Sequence, residues 1–88
     1  MKLKEGIVID RCGNDCVAVA VGETNRIFSG MLRGNGTLEF ILQQLHTDTT
    51  EDAVTAAMTR IYDVSDDVAL QDVRRVVGQL REIGLIDD

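Results

Sequence analysis

Aromatic residues, cysteine and histidine are scarce in this chain of 88 residues. Aromatic side chains make up 3% of it, with no Trp, one Tyr and two Phe, so the stacking surfaces used by binders of single-stranded nucleic acid are missing. Cys12 and Cys16 are too few for a disulfide framework. Their spacing invites a metal or redox interpretation, but structural zinc needs four ligands, and His46 is the only histidine. We therefore expect no metal and no cofactor.

The sequence also lacks proline, long apolar runs and a recognisable targeting segment. No run approaches the roughly 20 apolar residues that cross a bilayer, and the first residues show no charged stretch followed by an apolar one. We therefore expect a cytoplasmic protein with no membrane partner. Apolar residues make up 44% and charged residues 27%, an ordinary globular composition. Because no linker, repeat or low-complexity stretch divides the chain, we predict a single domain over residues 1–88.

Positive charge is scarce in the second half. The net charge is −6. Residues 1–45 carry five Lys or Arg and five Asp or Glu, whereas residues 46–88 carry four Lys or Arg and ten Asp or Glu. Because binding to duplex DNA depends on Lys and Arg displacing counterions, this distribution argues against a nucleic-acid partner.

Two further features could indicate catalysis or phosphate binding, but both signals are weak. No nucleophile or paired-carboxylate set can be assembled around His46, so we predict that the protein is not an enzyme. Gly34-Asn35-Gly36-Thr37 resembles a phosphate-binding loop at a helix start. It lacks the Lys of that motif and does not lie in a βαβ unit, which favours a plain strand-to-helix connection.

The first third of the chain shows the two-residue repeat of β-strands. Ile7-Val8-Ile9 and the run from Cys16 to Val21 flank the turn signal Gly13-Asn14-Asp15, which predicts a hairpin. In the second run, Val17, Val19 and Val21 share one face, and Cys16, Ala18 and Ala20 share the other. After another turn signal over residues 22–25, the segment Arg26-Ile27-Phe28-Ser29-Gly30 predicts a third strand in an antiparallel meander.

Three amphipathic helices are predicted after the glycine-rich segment. The apolar stripes are Leu38, Ile41, Leu42 and Leu45; Val54, Ala57, Met58 and Ile61; and Val73, Val76, Val77 and Leu80. The predicted N-caps are Thr37, Thr49 in a capping box with Asp52, and Ser65. Gly84, followed by Leu85, predicts the end of the last helix in a Schellman motif. The fold class is therefore α+β, with strands over about residues 6–31 and helices over about residues 37–84.

The predicted third helix has a wider apolar face than packing against one neighbouring element requires, and it also carries several arginines. Leu70 and Ile83 widen its apolar arc, and Arg74, Arg75 and Arg81 add positive charge. Two interpretations remain open: a fully buried central helix with solvated arginines, or one wall of an exposed groove with arginines at its rim for an acidic partner. The predicted third strand would lie at a sheet edge, where unpaired N–H and C=O groups can accept a strand from another chain.

The second half of the chain resembles the PqqD-like proteins, also called recognition elements for ribosomally synthesised, modified peptides. The resemblance rests on Leu38-Glu39-Phe40-Ile41-Leu42, Thr49 to Val54, Ile61-Tyr62-Asp63-Val64-Ser65, Asp72-Val73 and Leu80 to Ile86. The family commonly has Leu-Asn and a small hydroxyl residue before its first helix, where this chain has Leu32-Arg33-Gly34-Asn35-Gly36-Thr37.

The resemblance implies a winged-helix-like fold, with a three-stranded antiparallel sheet followed by a three-helix bundle, and a peptide-binding chaperone that is not catalytic. In that family the leader segment of a precursor peptide adds as a strand beside the third strand, lies against the third helix and is presented to a separate modifying enzyme, often a radical-SAM protein. Carried over to this chain, the expected peptide-binding residues are Arg26, Ile27, Phe28, Ser29, Gly30, Leu70, Arg74, Val77 and Arg81.

Two other functions compete with peptide capture. A winged-helix DNA-binding regulator could use the arginines of the third helix on phosphates, although the net charge opposes this. A purely structural or antitoxin-like subunit would co-purify with one protein and show no affinity for peptides. A homodimer is a further option for the quaternary structure.

Overall fold

A computed structural model describes all 88 residues and has an α+β architecture. In chain order its elements are β1 (Lys2–Leu3), β2 (Ile7–Cys12), β3 (Asp15–Ala20), a 3₁₀ helix (Gly22–Arg26), β4 (Met31–Gly34), α1 (Gly36–Gln44), α2 (Glu51–Ile61), α3 (Asp66–Ile83) and β5 (Ile86–Asp87). The prediction of a three-stranded antiparallel sheet followed by three helices is confirmed. None of the helices combines the length and the apolar character that crossing a membrane requires.

The main sheet has the strand order β2-β3-β4, and both of its pairs are antiparallel. Cys12 lies opposite Asp15, so Gly13 and Asn14 form a two-residue hairpin turn. Gly13 has φ 68°, and a positive φ at the first central position is what a type II′ turn requires. The predicted hairpin is confirmed.

The third strand lies later in the chain than predicted. Residues 26–30 are not a strand: Arg26 ends the 3₁₀ helix, and the N–H groups of Ile27 and Phe28 both donate to the Thr24 carbonyl. Thr24 is buried, and its hydroxyl donates to the Glu5 carbonyl, which fixes the turn to the start of the chain. The chain becomes extended only at Met31, so the third strand of the sheet is β4.

The helix caps follow short side chains close to the predicted positions. The Asn35 side chain accepts from the Leu38 N–H at 3.2 Å, so the cap of α1 is Asn35 and not Thr37. Thr50, not Thr49, caps α2 by accepting from Ala53. Ser65 caps α3 as predicted.

The core lies between the inner face of the sheet and the three helices. Cys16, Ala18 and Ala20 are all 3% exposed or less, whereas the valines between them face outward. The predicted division of this strand into two faces is therefore confirmed, and its small side chains face the helices. The helical part of the core consists of Ile41, Leu42, Leu45, Val54, Met58, Ala69, Val73, Val76, Val77 and Leu80. Ile61, predicted in the α2 stripe, is instead 65% exposed.

A second, two-stranded sheet joins the two ends of the chain. β1 pairs antiparallel with β5, with Leu3 opposite Ile86. The Leu3 N–H also donates to the Leu45 carbonyl at 2.8 Å, just after α1. Leu3 and Leu85 are both buried, so the two ends of the chain contribute to the core.

Candidate functional site

The main sheet has two outer edges, one on β2 and one on β4, and neither is paired with another strand. No backbone hydrogen bond from another part of the chain reaches residues 31–34 on the outer side of β4. In an antiparallel sheet, half of an edge strand's N–H and C=O groups point away from the sheet. These groups can therefore bond to an extended segment of another molecule.

A groove with a volume of about 330 Å³ lies between the end of β4, the start of α1 and the middle of α3. We call it the β4–α3 groove. It is lined by Arg33, Gly34, Asn35, Thr37, Leu38, Asp72, Arg75, Val76 and Gln79. Only Leu38 and Val76 are apolar, and Val76 is 3% exposed. The groove is thus mainly polar, with two apolar residues among those that line it.

Gly34 shapes this groove because no side chain fits at its position. A Cβ there would lie 2.5 Å from Leu38 Cδ2 and 3.0 Å from Leu38 Cβ. The first turn of α1 therefore packs directly on the last residue of β4. This contact holds the strand edge beside the groove.

The β2 edge is different, because a charged side chain on its inner side pairs with α1. Arg11 donates from Nη2 to Glu39 Oε1 at 2.8 Å and from Nε to Oε2 at 3.0 Å. Hydrogen bonds from Arg11 lower the pKa of Glu39, and the same bonds raise the pKa of Arg11. Charged residues that point inward are one way in which proteins protect a sheet edge. The inner face of β4 carries Leu32 and Gly34 and no such ion pair, and β4 is the edge that adjoins the groove.

The predicted strand residues 26–30 do not line the β4–α3 groove. Arg26 is exposed, with a weak contact of 4.0 Å to Glu23. Ile27 is 47% exposed, and Phe28 packs against the core. Ser29 and Gly30 form the exposed connection that leads into β4. A peptide-binding role for these five residues stays an untested prediction, but their assignment to the edge strand is wrong.

The four predicted residues of α3 also lie away from the groove. Leu70 is half-buried in a shallow hollow between α2 and α3, and Val77 is 1% exposed in the core. Arg74 Nε lies 3.7 Å from Glu51 Oε2 on α2, and Arg81 Nη2 donates to Asp88 Oδ1 at 2.8 Å. Their contact with a peptide stays a prediction.

The groove uses the neighbouring flank of α3, which carries Asp72, Arg75, Val76 and Gln79. The sequence pattern alone did not indicate these residues or β4 as parts of the site. The available signal was the adjacent apolar pair Met31 and Leu32, which comes shortly before a glycine-rich helix start.

The remaining candidate motifs do not converge on a common site. Cys12 is exposed and Cys16 is buried, and both thiols are free. Burial raises the pKa of the Cys16 thiol, and the negative charge of Glu39 adds to this effect. His46 lies near Arg11 and Glu39, in an open hollow beside β2. No group of three or more His, Cys, Asp and Glu side chains could hold a metal ion.

The fold and the site together define an α+β domain with an open strand edge beside a helix-lined groove. Residues 15–86 match the family described as Coenzyme PQQ synthesis protein D (PqqD). The chain therefore belongs to the PqqD family. A comparison with curated proteins finds no match.

Two solved structures share the fold. One is described as TbiB1 in complex with the TbiA(beta) leader peptide and is 18% identical to this chain, with a TM-score of 0.70. The match covers 99% of this chain and 100% of the other. The other is described as lasso peptide synthetase B1 complexed with the leader peptide and is 23% identical, with a TM-score of 0.70. This match covers 96% of this chain and 93% of the other.

Proposed function

We propose that this protein captures the leader segment of a ribosomally synthesised precursor peptide as a fourth strand on β4 and presents it to a separate modifying enzyme. The observation that carries the proposal is the unpaired edge of β4 beside the β4–α3 groove. Membership of the PqqD family supports it. So does the description of both structural neighbours as complexes with leader peptides.

Strand addition separates affinity from selectivity. Backbone hydrogen bonds to β4 tolerate many sequences, whereas side chains that enter the groove select among them. Ordering a disordered leader costs about 2–5 kcal/mol. We therefore expect a Kd between micromolar and high nanomolar, which corresponds to a binding free energy of about −8 to −9.5 kcal/mol. In this proposal the protein is a binding chaperone without catalytic activity. Its modifying enzyme, for example a radical-SAM protein, and a possible homodimer stay predictions.

Amide hydrogen exchange tests the proposed edge directly. Alternate N–H groups of β4 bond to β3, so those between them should exchange rapidly in the free protein. We expect a synthetic peptide that spans the leader of the cognate precursor to protect these outward N–H groups among residues 31–34. The rate of exchange, with and without peptide, is measured by NMR.

The β2 edge provides the control within the same molecule. Its outward N–H groups, among residues 7–12, should exchange equally fast with and without the peptide. Protection confined to β2, or saturable binding that protects neither edge, would contradict strand addition to β4.

A further inference from the structure

The outer face of the main sheet carries two ordered rows of side chains that end at β4. Val19 lies opposite Val8 on one side and Met31 on the other, so three apolar residues form one row across the strands. Val17 lies opposite Asp10 and Arg33 and forms the next row. Met31 is therefore the last member of an apolar row, and Arg33 is the last member of a row that has a charged residue at each end.

A strand added to β4 would extend both rows. Residues directly opposite each other on one face of a sheet have Cβ atoms about 4.5–5.5 Å apart, close enough for their side chains to interact. Met31 is 58% exposed and would be covered by the side chain opposite it. Because an aliphatic neighbour removes apolar surface from water, it is favoured there over a charged one.

Arg33 has capacity for a second carboxylate. Its side chain is 64% exposed, and its Nη2 and Nε donate to a single oxygen of Asp15 at 3.1 and 3.3 Å. A guanidinium has five N–H donors, so the bonds to Asp15 leave further donors available. A carboxylate on the added strand would accept from them, whereas a lysine or arginine there would meet a like charge.

We infer that the leader segment carries an aliphatic residue and an acidic residue two positions apart, facing Met31 and Arg33 on the outer face of the sheet. The residue between them faces the β4–α3 groove, because side chains alternate along a strand. This inference rests on the proposed function, since it assumes that the leader pairs with β4. It makes Arg33, which lies on the outer face of the sheet by register and also borders the groove, a specificity-determining residue.

A random library of displayed peptides tests the inference without knowledge of the natural precursor. We expect selection on the immobilised full chain to enrich peptides with an aliphatic residue and an Asp or Glu two positions apart, in either order. Selection on Arg33→Glu should instead enrich Lys or Arg at the acidic position. A peptide selected on the wild type should bind Arg33→Glu about fivefold or more weakly, and changing its acidic residue to Lys should restore the affinity.

Arg60→Glu is the matched control. Arg60 is also exposed, but it lies in the last turn of α2, outside the groove and the sheet, so this variant should select the same peptides as the wild type. If selection on the wild-type chain enriches no binding peptide, the proposed function itself fails. If peptides bind β4 but show no acidic preference, or if Arg33→Glu leaves the preference unchanged, the inference fails while capture on β4 stands.

Discussion

Glu39 is the only charged residue whose exposure falls to the level of the core, at 8%. Its two carboxylate oxygens accept hydrogen bonds from Arg11, which is why the pKa of Glu39 is lowered. A carboxylate whose pKa is lower in the folded state stabilises the fold above its ordinary pKa. That contribution is lost as the pH falls through the lowered pKa, when the carboxylate is protonated in the folded protein as well.

Replacing Glu39 by Gln should therefore destabilise the fold in a pH-dependent way. We expect Glu39→Gln to lower the free energy of unfolding at about pH 7, and the difference from the wild type to narrow as the pH falls to about 3. Urea denaturation across this range measures both quantities.

Asp15→Asn is the control for Glu39→Gln, because it removes the ion pair with Arg33, in which both side chains are exposed. It should change the free energy of unfolding by less than about 0.5 kcal/mol at each pH. A Glu39→Gln effect that is equally large at both ends of the range would contradict the role of the Arg11 pair.

At the scale of a single element, α3 ends in a Schellman motif. Gly84 has φ 91° and ψ 23°, and the Leu85 N–H donates to the Leu80 carbonyl at 2.9 Å. The Gly84 N–H donates to the Arg81 carbonyl at 3.0 Å. Because residues with a Cβ disfavour this left-handed conformation, the helix end depends on glycine at this position.

The same substitution at two glycines of this region should have opposite effects. Gly84→Ala should lower the free energy of unfolding by about 1–2 kcal/mol, because its Cβ is strained at positive φ and would lie 3.2 Å from Ile27 Cγ2. Gly78→Ala, inside α3 with nothing within 4 Å of the new Cβ, should raise it by about 0.5–1 kcal/mol. Urea denaturation compares the two variants, and effects of the same sign would contradict this account.

Elements fixed by local chemistry were predictable from the sequence. The β2–β3 hairpin depends on a two-residue turn with Gly13, and α3 depends on the Ser65 cap and the Gly84 end. The caps of α1 and α2 were misplaced by two residues and one residue, because short polar side chains with capping ability lie next to each other there.

The third strand and the groove depend on contacts between distant parts of the chain. Ile27 and Phe28 have high strand propensity, but the turn anchored by buried Thr24 overrides it. β4 is only four residues long and is extended because β3 pairs with it. The apolar stripe of α3 identifies its buried face, but it does not say which polar flank lies beside β4. For this reason the sequence indicated Arg74 and Arg81, whereas Arg75 and Asp72 line the groove.

For the whole molecule, the two ends of the chain contribute to one core. The Met1 amino group donates to Asp48 Oδ1 at 2.6 Å, and this contact lowers the pKa of Asp48. The Lys4 N–H donates to the Leu85 carbonyl at 2.9 Å. These contacts hold the first and last segments against the helices, on elements other than β4. In the proposed mode, a peptide on β4 would therefore leave these contacts of the chain ends in place.

Charge at the scale of the molecule distinguishes peptide capture from DNA binding. The net charge is −6, and each arginine of α3 lies near a carboxylate: Arg74 near Glu51, Arg75 near Asp72 and Arg81 near Asp88. DNA phosphates would have to displace these carboxylates against a repulsive net charge. No observation of the structure or of its relatives favours a nucleic-acid partner.

We therefore expect labelled duplex DNA to bind with a Kd weaker than about 0.1 mM at about 0.15 M salt, measured by fluorescence anisotropy. The same preparation should bind its leader peptide, which shows that the protein is folded and active in the assay. If the three arginines did contact phosphates, log K would fall with log salt at a slope of about −2.7, which is −0.9 per phosphate. Saturable binding to duplex DNA with a slope of that size would contradict the peptide-capture assignment, because it would mean that the acidic half of the molecule does not prevent the approach of a polyanion.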